Sequence, residues 1–463
     1  MMFRTILSAS AFALLIATSV GSAQAQSLSQ ALAAAYEHAP ELQSALLDAK
    51  ASAENIVQAK SRKLPTIGAS IGGTQSITSA SGQALLLGSN PVTNSQLNAG
   101  LSYNQTIFDN FQTEAQIEQA RASAEAAEYQ LRNTEQNVLL NVVQAYMAVL
   151  SGRELLSLRQ ANVDFFRAQL QSAQDRLDVG EGTRIDVAQA QARLAQGQAA
   201  YQAAVGSLET SQATFQRYVG SRPQSLSTSH NYANLIPRSL EGALGEAEIG
   251  HPAILLAKAG IRAAQAGSDA ASAAFGPTAS INGQVGGSWS QGNRSVNGGT
   301  GSLSAQLGFQ INIPIYAGGA LGSGVRQANL QQIGAEVDAM SAYDQIREAV
   351  ISAWSGIQSA DAQIQAAQAA VSSSNTVLEG VIQERDLGTR TTLDVLNSQA
   401  DLTSSREALI NASSNKIVAT FSLLSAMGRL TAQDLALPVE VKTAVPYTQA
   451  VEDVWQELRT VAE

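Results

Sequence analysis

The sequence predicts an α+β membrane protein built from two tandem repeats. Each repeat contributes two β-barrel strands and one very long α-helical hairpin. Three observations predict this: the chain is written twice, its alternating segments carry uncharged polar faces, and the stretch 112–179 contains no proline and one glycine, Gly152.

Ser27-Leu28 recurs as Ser239-Leu240, Pro40 as Pro252 and Pro65-Thr66 as Pro277-Thr278, each at an offset of 212. Past the first loop the offset becomes 208, pairing Gln119-Ala120 with Gln327-Ala328, Glu128 with Glu336, Ala145-Tyr146 with Ala353-Trp354, Asp186-Val187 with Asp394-Val395 and Gly220 with Gly428. Self-similarity at a fixed spacing marks a repeated structural unit. The expected division is a first repeat over 26–222, a second over 239–430, and a C-terminal strap or loose tail over 431–463.

The first residues read as a secretory signal. Arg4 is the sole charge before Glu37, an apolar run covers 6–20, and Ala23-Gln24-Ala25 has the spacing of a signal-peptidase site. The run is short for a membrane anchor, which needs about 20 apolar residues. Residues 1–25 are therefore expected to be removed, and Gln26 to begin the mature chain. The chain has no cysteine, so neither disulfides nor a thiol-linked lipid enter. After residue 25 no apolar stretch of 18 residues remains, so membrane entry requires a closed barrel. Without Arg4 the formal charge goes from −10 to −11, which excludes nucleic acid as a partner, because phosphates attract basic surfaces.

Each repeat reads as helix, strand, loop, strand, very long helix, tight turn, helix. In 303–315, Leu303, Ala305, Leu307, Phe309, Ile311, Ile313 and Ile315 share one face, while Ser304, Gln306, Gly308, Gln310, Asn312 and Pro314 share the other. Leu97, Ala99, Leu101 and Tyr103 alternate with Asn98, Gly100, Ser102 and Asn104. Ile67, Ala69 and Ile71 do so with Gly68, Ser70 and Gly72, and Ile281, Val285 and Trp289 with Asn282, Gln284 and Ser288. Apolar-out, polar-in alternation over about ten residues is the pattern of a transmembrane barrel strand. The uncharged polar faces favour a wet lumen over a soluble sheet. Loops over 79–94 and 291–300 would face outside, and Trp289, Tyr103 and Tyr316 are candidates for an aromatic belt. Four strands cannot close a barrel, since the smallest types use about eight. Three copies would supply twelve.

Leu139, Val142, Val143, Tyr146, Met147 and Leu150 form one helical stripe, as do Ile346, Val350, Trp354 and Ile357. A helix of about 67 residues is a rod of roughly 100 Å, long enough to reach from an outer membrane into the periplasm. Gly180, Gly182 and Gly388 break such helices where a turn is needed. Asp186 and Asp394 follow within the first turns of the returning helices, where an acid caps free N–H groups. Gly318-Gly319-Ala320-Leu321-Gly322-Ser323-Gly324 lacks the spacing of a nucleotide loop and reads as a bend between strand and helix. His38, His230 and His251 are the only histidines. None has a neighbour at zinc spacing, so no cofactor or metal is expected and structural roles near helix breaks are.

The segments Val179-Gly180 with Asp186-Val187, Leu387-Gly388-Thr389-Arg390-Thr391-Thr392-Leu393-Asp394-Val395-Leu396-Asn397, and Ile313-Pro314-Ile315-Tyr316-Ala317-Gly318-Gly319 resemble those of the TolC family of outer-membrane efflux and secretion channels. The resemblance covers about 27–430. It implies a homotrimer in outer-membrane lipid, with a 12-stranded barrel continuous with a long α-helical periplasmic tunnel. It also implies a periplasmic adaptor protein and an inner-membrane transporter as partners. The family's tunnel mouth is narrowed by two aspartates three residues apart. The first falls on Asp394 and the second on Asn397. Its polar links at the tip fall on Asp186 and Arg390, which match, and on Ile185 and Arg385, which replace a hydroxyl residue and a tyrosine. Adaptor docking is implied at Val179, Gly180, Leu387, Gly388 and Thr389. The expected function is thus the passive exit duct of a tripartite efflux pump or type I secretion system, gated at its periplasmic end, not an enzyme, and powered by a partner because the chain has no nucleotide motif. The alternative is a structural tether between outer membrane and periplasm that transports nothing.

Overall fold

The computed structural model describes residues 26–78, 92–228, 235–292 and 298–457 together with Arg459. The expected signal peptide, much of both strand-connecting loops and His230 lie outside the described residues.

The opening helix of each half is two helices. α1 (Leu28–His38) and α2 (Pro40–Ser61) are separated at Ala39, with φ −60° and ψ 116°. Proline disfavours a helical conformation in the residue before it and is well placed as the first residue of a new helix. Ser27 starts α1 with a capping box to Gln30. In the second half α5 (Leu240–Gly250) and α6 (Pro252–Ala273) part at His251. The His251 Nδ1 accepts from the Ala253 N–H at 3.1 Å, so this histidine caps a helix start.

The strands β1 (Thr66–Thr78), β2 (Val92–Phe108), β3 (Thr278–Gly292) and β4 (Thr300–Asn312) form one antiparallel sheet in sequence order. The register carries the alternation across all four. Ala69, Leu101, Val285 and Ala305 lie in one row and Ile67, Tyr103, Gly283 and Leu307 in another. Alternating with them are the polar rows Gly68, Ser102, Gln284, Gln306 and Ser70, Gly100, Gly286, Ser304. Two expectations need correction. β4 ends at Asn312 rather than 315, because Pro314 has no N–H for the ladder. Tyr316 therefore lies beyond the strand, 88% exposed.

Strand gives way to long helix through a left-handed elbow. Asn110 (φ 53°) and Phe111 (φ 66°) precede α3 (Gln112–Asp178); Gly318 (φ 62°) and Gly319 (φ 87°) precede α7 (Ala320–Asp386). The Gly318-Gly319 pair is thus the bend that the sequence suggested. The first elbow is locked from the side. Asn110 Nδ2 donates to the Ala273 carbonyl at 3.0 Å, and the Asp109 carboxylate accepts the Thr113 N–H at 2.8 Å.

Helices α3 and α7 each have 67 residues, which is about 100 Å. They return as α4 (Arg184–Val219) and α8 (Thr392–Ala426). The stripe Leu139, Val142, Val143, Tyr146 and Met147 is buried against Leu28, Leu32 and Tyr36 of the short helices and Phe215 and Val219 of α4. The returning helices end where the short helices break. A Cβ on Gly220 would lie 2.9 Å from the His38 ring, and one on Gly428 2.8 Å from His251 Cα. Both glycines have positive φ, 83° and 79°, so the junctions need glycine twice over.

Residues after Gly428 pack as a strap. Leu430, Ala432, Leu435 and Leu437 enter the main core. The buried Glu135 accepts the Ala432 N–H at 2.7 Å, and Glu128 accepts from Thr443 Oγ1 and the Ala444 N–H at 2.8 and 2.9 Å. The short helix α9 (Val445–Val451) then lies along α2, where Glu452 meets Lys60 and Arg121. Among the described residues no helix is long and apolar enough to cross a membrane.

Candidate functional site at the helical tips

The ends of the two hairpins farthest from the sheet are built alike. After α3, Gly180 (φ 84°) donates to the Leu177 carbonyl at 3.0 Å and Glu181 to that of Arg176 at 2.8 Å. After α7, Gly388 (φ 80°) donates to Arg385 and Thr389 to Glu384, both at 2.9 Å. This is a Schellman closure, whose left-handed residue favours glycine. Val179 and Leu387, just before each glycine, stand 72% and 81% exposed. The docking candidates Val179, Gly180, Leu387, Gly388 and Thr389 therefore form two matching surface turns.

The returning helices start on capping boxes. Asp186 accepts from the Thr183 N–H and hydroxyl at 3.1 and 2.6 Å, and Asp394 from those of Thr391 at 3.0 and 2.8 Å. Donation by the Thr391 backbone and side chain, with Arg390 nearby, holds the Asp394 carboxyl below the usual aspartate range. Within one chain both aspartates thus serve as helix starts. Arg390 Nε pairs with Glu384 at 2.8 Å.

Arg385 and Asn397 have partners that the sequence did not reveal. Arg385 is buried and donates through Nη1 to Gln169 Oε1 at 2.7 Å, joining α7 to α3, while Asp386 takes its Nε and Nη2. Asn397 accepts from Arg193 Nη2 at 2.7 Å, joining α8 to α4. One turn deeper, Gln399 Nε2 and Thr403 Oγ1 both donate to Asn162 Oδ1, at 3.1 and 3.2 Å, in a buried α3–α8 contact. Apolar packing by Phe166, Ala173, Ala190 and Leu396 fills the space between. Polar groups satisfied inside such packing fix helix register, so the tips are four helices held as one unit. Arg193, Gln169 and Asn162 gave no signal because each partner lies more than 200 residues away.

This arrangement offers surface turns, acids at helix starts and cross-helix clasps. Among the described residues no three His, Cys, Asp or Glu gather where a metal could sit.

The family model described as outer membrane efflux protein matches residues 31–221 and 243–429. The outer membrane efflux protein BepC of Brucella suis biovar 1 (strain 1330) is 35% identical over 440 residues, covering 95% of this chain and 93% of BepC. The outer membrane protein TolC of Escherichia coli (strain K12) is 27% identical over 423 residues, covering 89% of this chain and 84% of TolC. The crystal structure of the Campylobacter jejuni CmeC outer membrane channel shares the fold, with a TM-score of 0.75 over 92% of this chain and 89% of that one at 17% identity. Since the model spans both long hairpins and the helices that cap them, the chain belongs to the outer membrane efflux protein family.

Proposed function

We propose that three copies of this chain close a 12-stranded barrel over a helical tunnel, forming the exit duct of a tripartite efflux pump or a type I secretion system. The observation that carries this reading is the sheet. One face is apolar, the other is polar without charge, and β1 and β4 are left as open edges. A sheet of that kind is suited to lipid only when its edges are paired in a closed barrel. Neighbouring copies provide the pairing. The helices support the same assembly. On α7, Leu330, Ile333, Val337 and Met340 form a stripe that is 54–69% exposed in the single chain, a face that a second copy would cover. The two halves act as tandem repeats, each giving two strands and one hairpin.

In this reading the periplasmic mouth narrows where Asp394 and Asn397 of three copies converge. Arg390, Asp186 and Arg385 keep the tip helices in place. The paired turns at Gly180 and Gly388 receive a periplasmic adaptor, which links the duct to an energised inner-membrane transporter. The duct itself does no catalysis. Single-channel recording in a planar bilayer tests the reading. Discrete conductance steps from a particle of three-chain mass support it. No conductance from a properly inserted protein would favour the tether.

A further inference from the structure

We infer that Arg193 sets the charge of the periplasmic mouth by placing a cation at Asn397, one helical turn from Asp394. The inference rests on the proposed position of that mouth.

Four arginines of the lower hairpins pair with carboxylates. Arg159 pairs with Glu407, Arg167 with Asp164, Arg385 with Asp386 and Arg390 with Glu384. The described hydrogen bonds of Arg193 go to neutral amides instead, to Asn397 Oδ1 at 2.7 Å and to Gln196 Oε1 at 3.2 Å. A guanidinium is cationic, so a positive charge lies beside Asn397 with no carboxylate among its described hydrogen-bond partners. Three copies would place three guanidiniums next to three Asp394 carboxylates. The mouth is then a mixed ring with little preference between cations and anions, able to pass anionic cargo that a purely acidic ring would repel.

Asn397→Asp would not create a second acidic ring, because the new carboxylate would pair with the guanidinium already hydrogen-bonded there. The acidic ring should emerge only when Arg193 is removed as well.

The test uses the full-length channel in planar bilayers, with reversal potentials in a KCl gradient and block by hexaamminecobalt(III). Arg193→Gln should move the reversal potential towards the cation limit and lower the blocking concentration roughly three- to tenfold. Arg193→Lys keeps the charge and should stay near wild type, which a role in packing alone does not predict. Asn397→Asp should change little by itself, and the double variant Arg193→Gln/Asn397→Asp should be the most cation-selective and most easily blocked of all. If Arg193→Gln changes neither reading while Asp394→Ala changes both, the inference fails and the position of the mouth stands. If Asp394→Ala also changes neither, the mouth itself lies elsewhere and the inference falls with it.

Discussion

Gly276 lies directly against the Asn110 side chain, so close that a Cβ there would fall 2.1 Å from Asn110 Cγ. Asn110 holds a left-handed conformation at the first elbow and is tied to the Ala273 carbonyl. Gly276→Ala should push Asn110 out of this seat and loosen the joint between sheet and α3. Overpacking of this kind costs about 1–3 kcal/mol, visible as a lower thermal midpoint of the assembled protein. Gly324 makes a control, since an added Cβ there meets nothing within 4 Å inside α7. Gly324→Ala should raise helix stability slightly, by roughly 0.5–1 kcal/mol. Equal midpoints for the two variants would contradict the account of the elbow.

The turn glycines separate backbone need from docking. Gly180 and Gly388 hold φ near 84° and 80°, with nothing within 4 Å of an added Cβ. Asparagine tolerates that backbone, so Gly388→Asn should leave export intact. Gly180→Trp and Gly388→Trp add bulk on the same surface. Each should abolish export while the trimer and its outer-membrane level persist. Normal export by both tryptophan variants would remove the turns from the docking surface.

Asp394 should resist acid. Its carboxyl is held below the ordinary range by the Thr391 N–H and hydroxyl, so the charge is kept as pH falls and disappears only below the usual aspartate value. The stability that this cap contributes follows the same course, present above the unfolded pKa and lost as pH falls through the folded one. Asp394-dependent block by multivalent cations should therefore persist into mildly acidic buffer. In Thr391→Ala it should fade at a higher pH, because the hydroxyl donor is lost while the backbone N–H remains. The same pH course in both proteins would show that the cap does not control this carboxyl.

The strap is held by a buried acid. Glu135 is 1% exposed, accepts the Ala432 N–H and pairs with Arg132 at 3.3 Å, while burial raises its pKa. Glu135→Ala leaves the Ala432 N–H and Arg132 without that acceptor, a loss of about 1–3 kcal/mol, and should expose the strap to limited proteolysis near residue 432. Glu135→Gln keeps an acceptor of the same shape and should be cut more slowly. Equal cleavage of wild type and Glu135→Ala would show that the strap is held elsewhere.

Much of this fold was legible because its signals are local and periodic. The period-2 rows of β1 to β4 and the stripe from Leu139 to Met147 needed only neighbouring residues, and Gly180 and Gly388 marked the tips. Boundaries were less so. Pro314 stood in plain view, yet the alternation through Ile313 and Ile315 carried the expected strand past it. The clasps could not be read at all. Arg193 and Asn397, Arg385 and Gln169, and Asn162 and Gln399 each meet across two hairpins, and nothing in the local sequence says which surface residues will face each other. The strap has no period, so its anchoring by Glu128 and Glu135 appears only in three dimensions.

Closure of the barrel by neighbouring copies is the central claim, and the natural absence of cysteine gives it a direct measurement. One cysteine is placed on the polar face of edge strand β1, as Ser70→Cys. A second is scanned along the polar face of edge strand β4, as Ser302→Cys, Ser304→Cys or Gln306→Cys. Within one chain these edges lie on opposite sides of the sheet. Oxidation in the membrane should join β1 of one copy to β4 of the next at one register, giving covalent products that end at three chains. Cross-linking confined to a single chain or ending at two, or no product at any register in correctly inserted protein, would contradict the trimeric barrel.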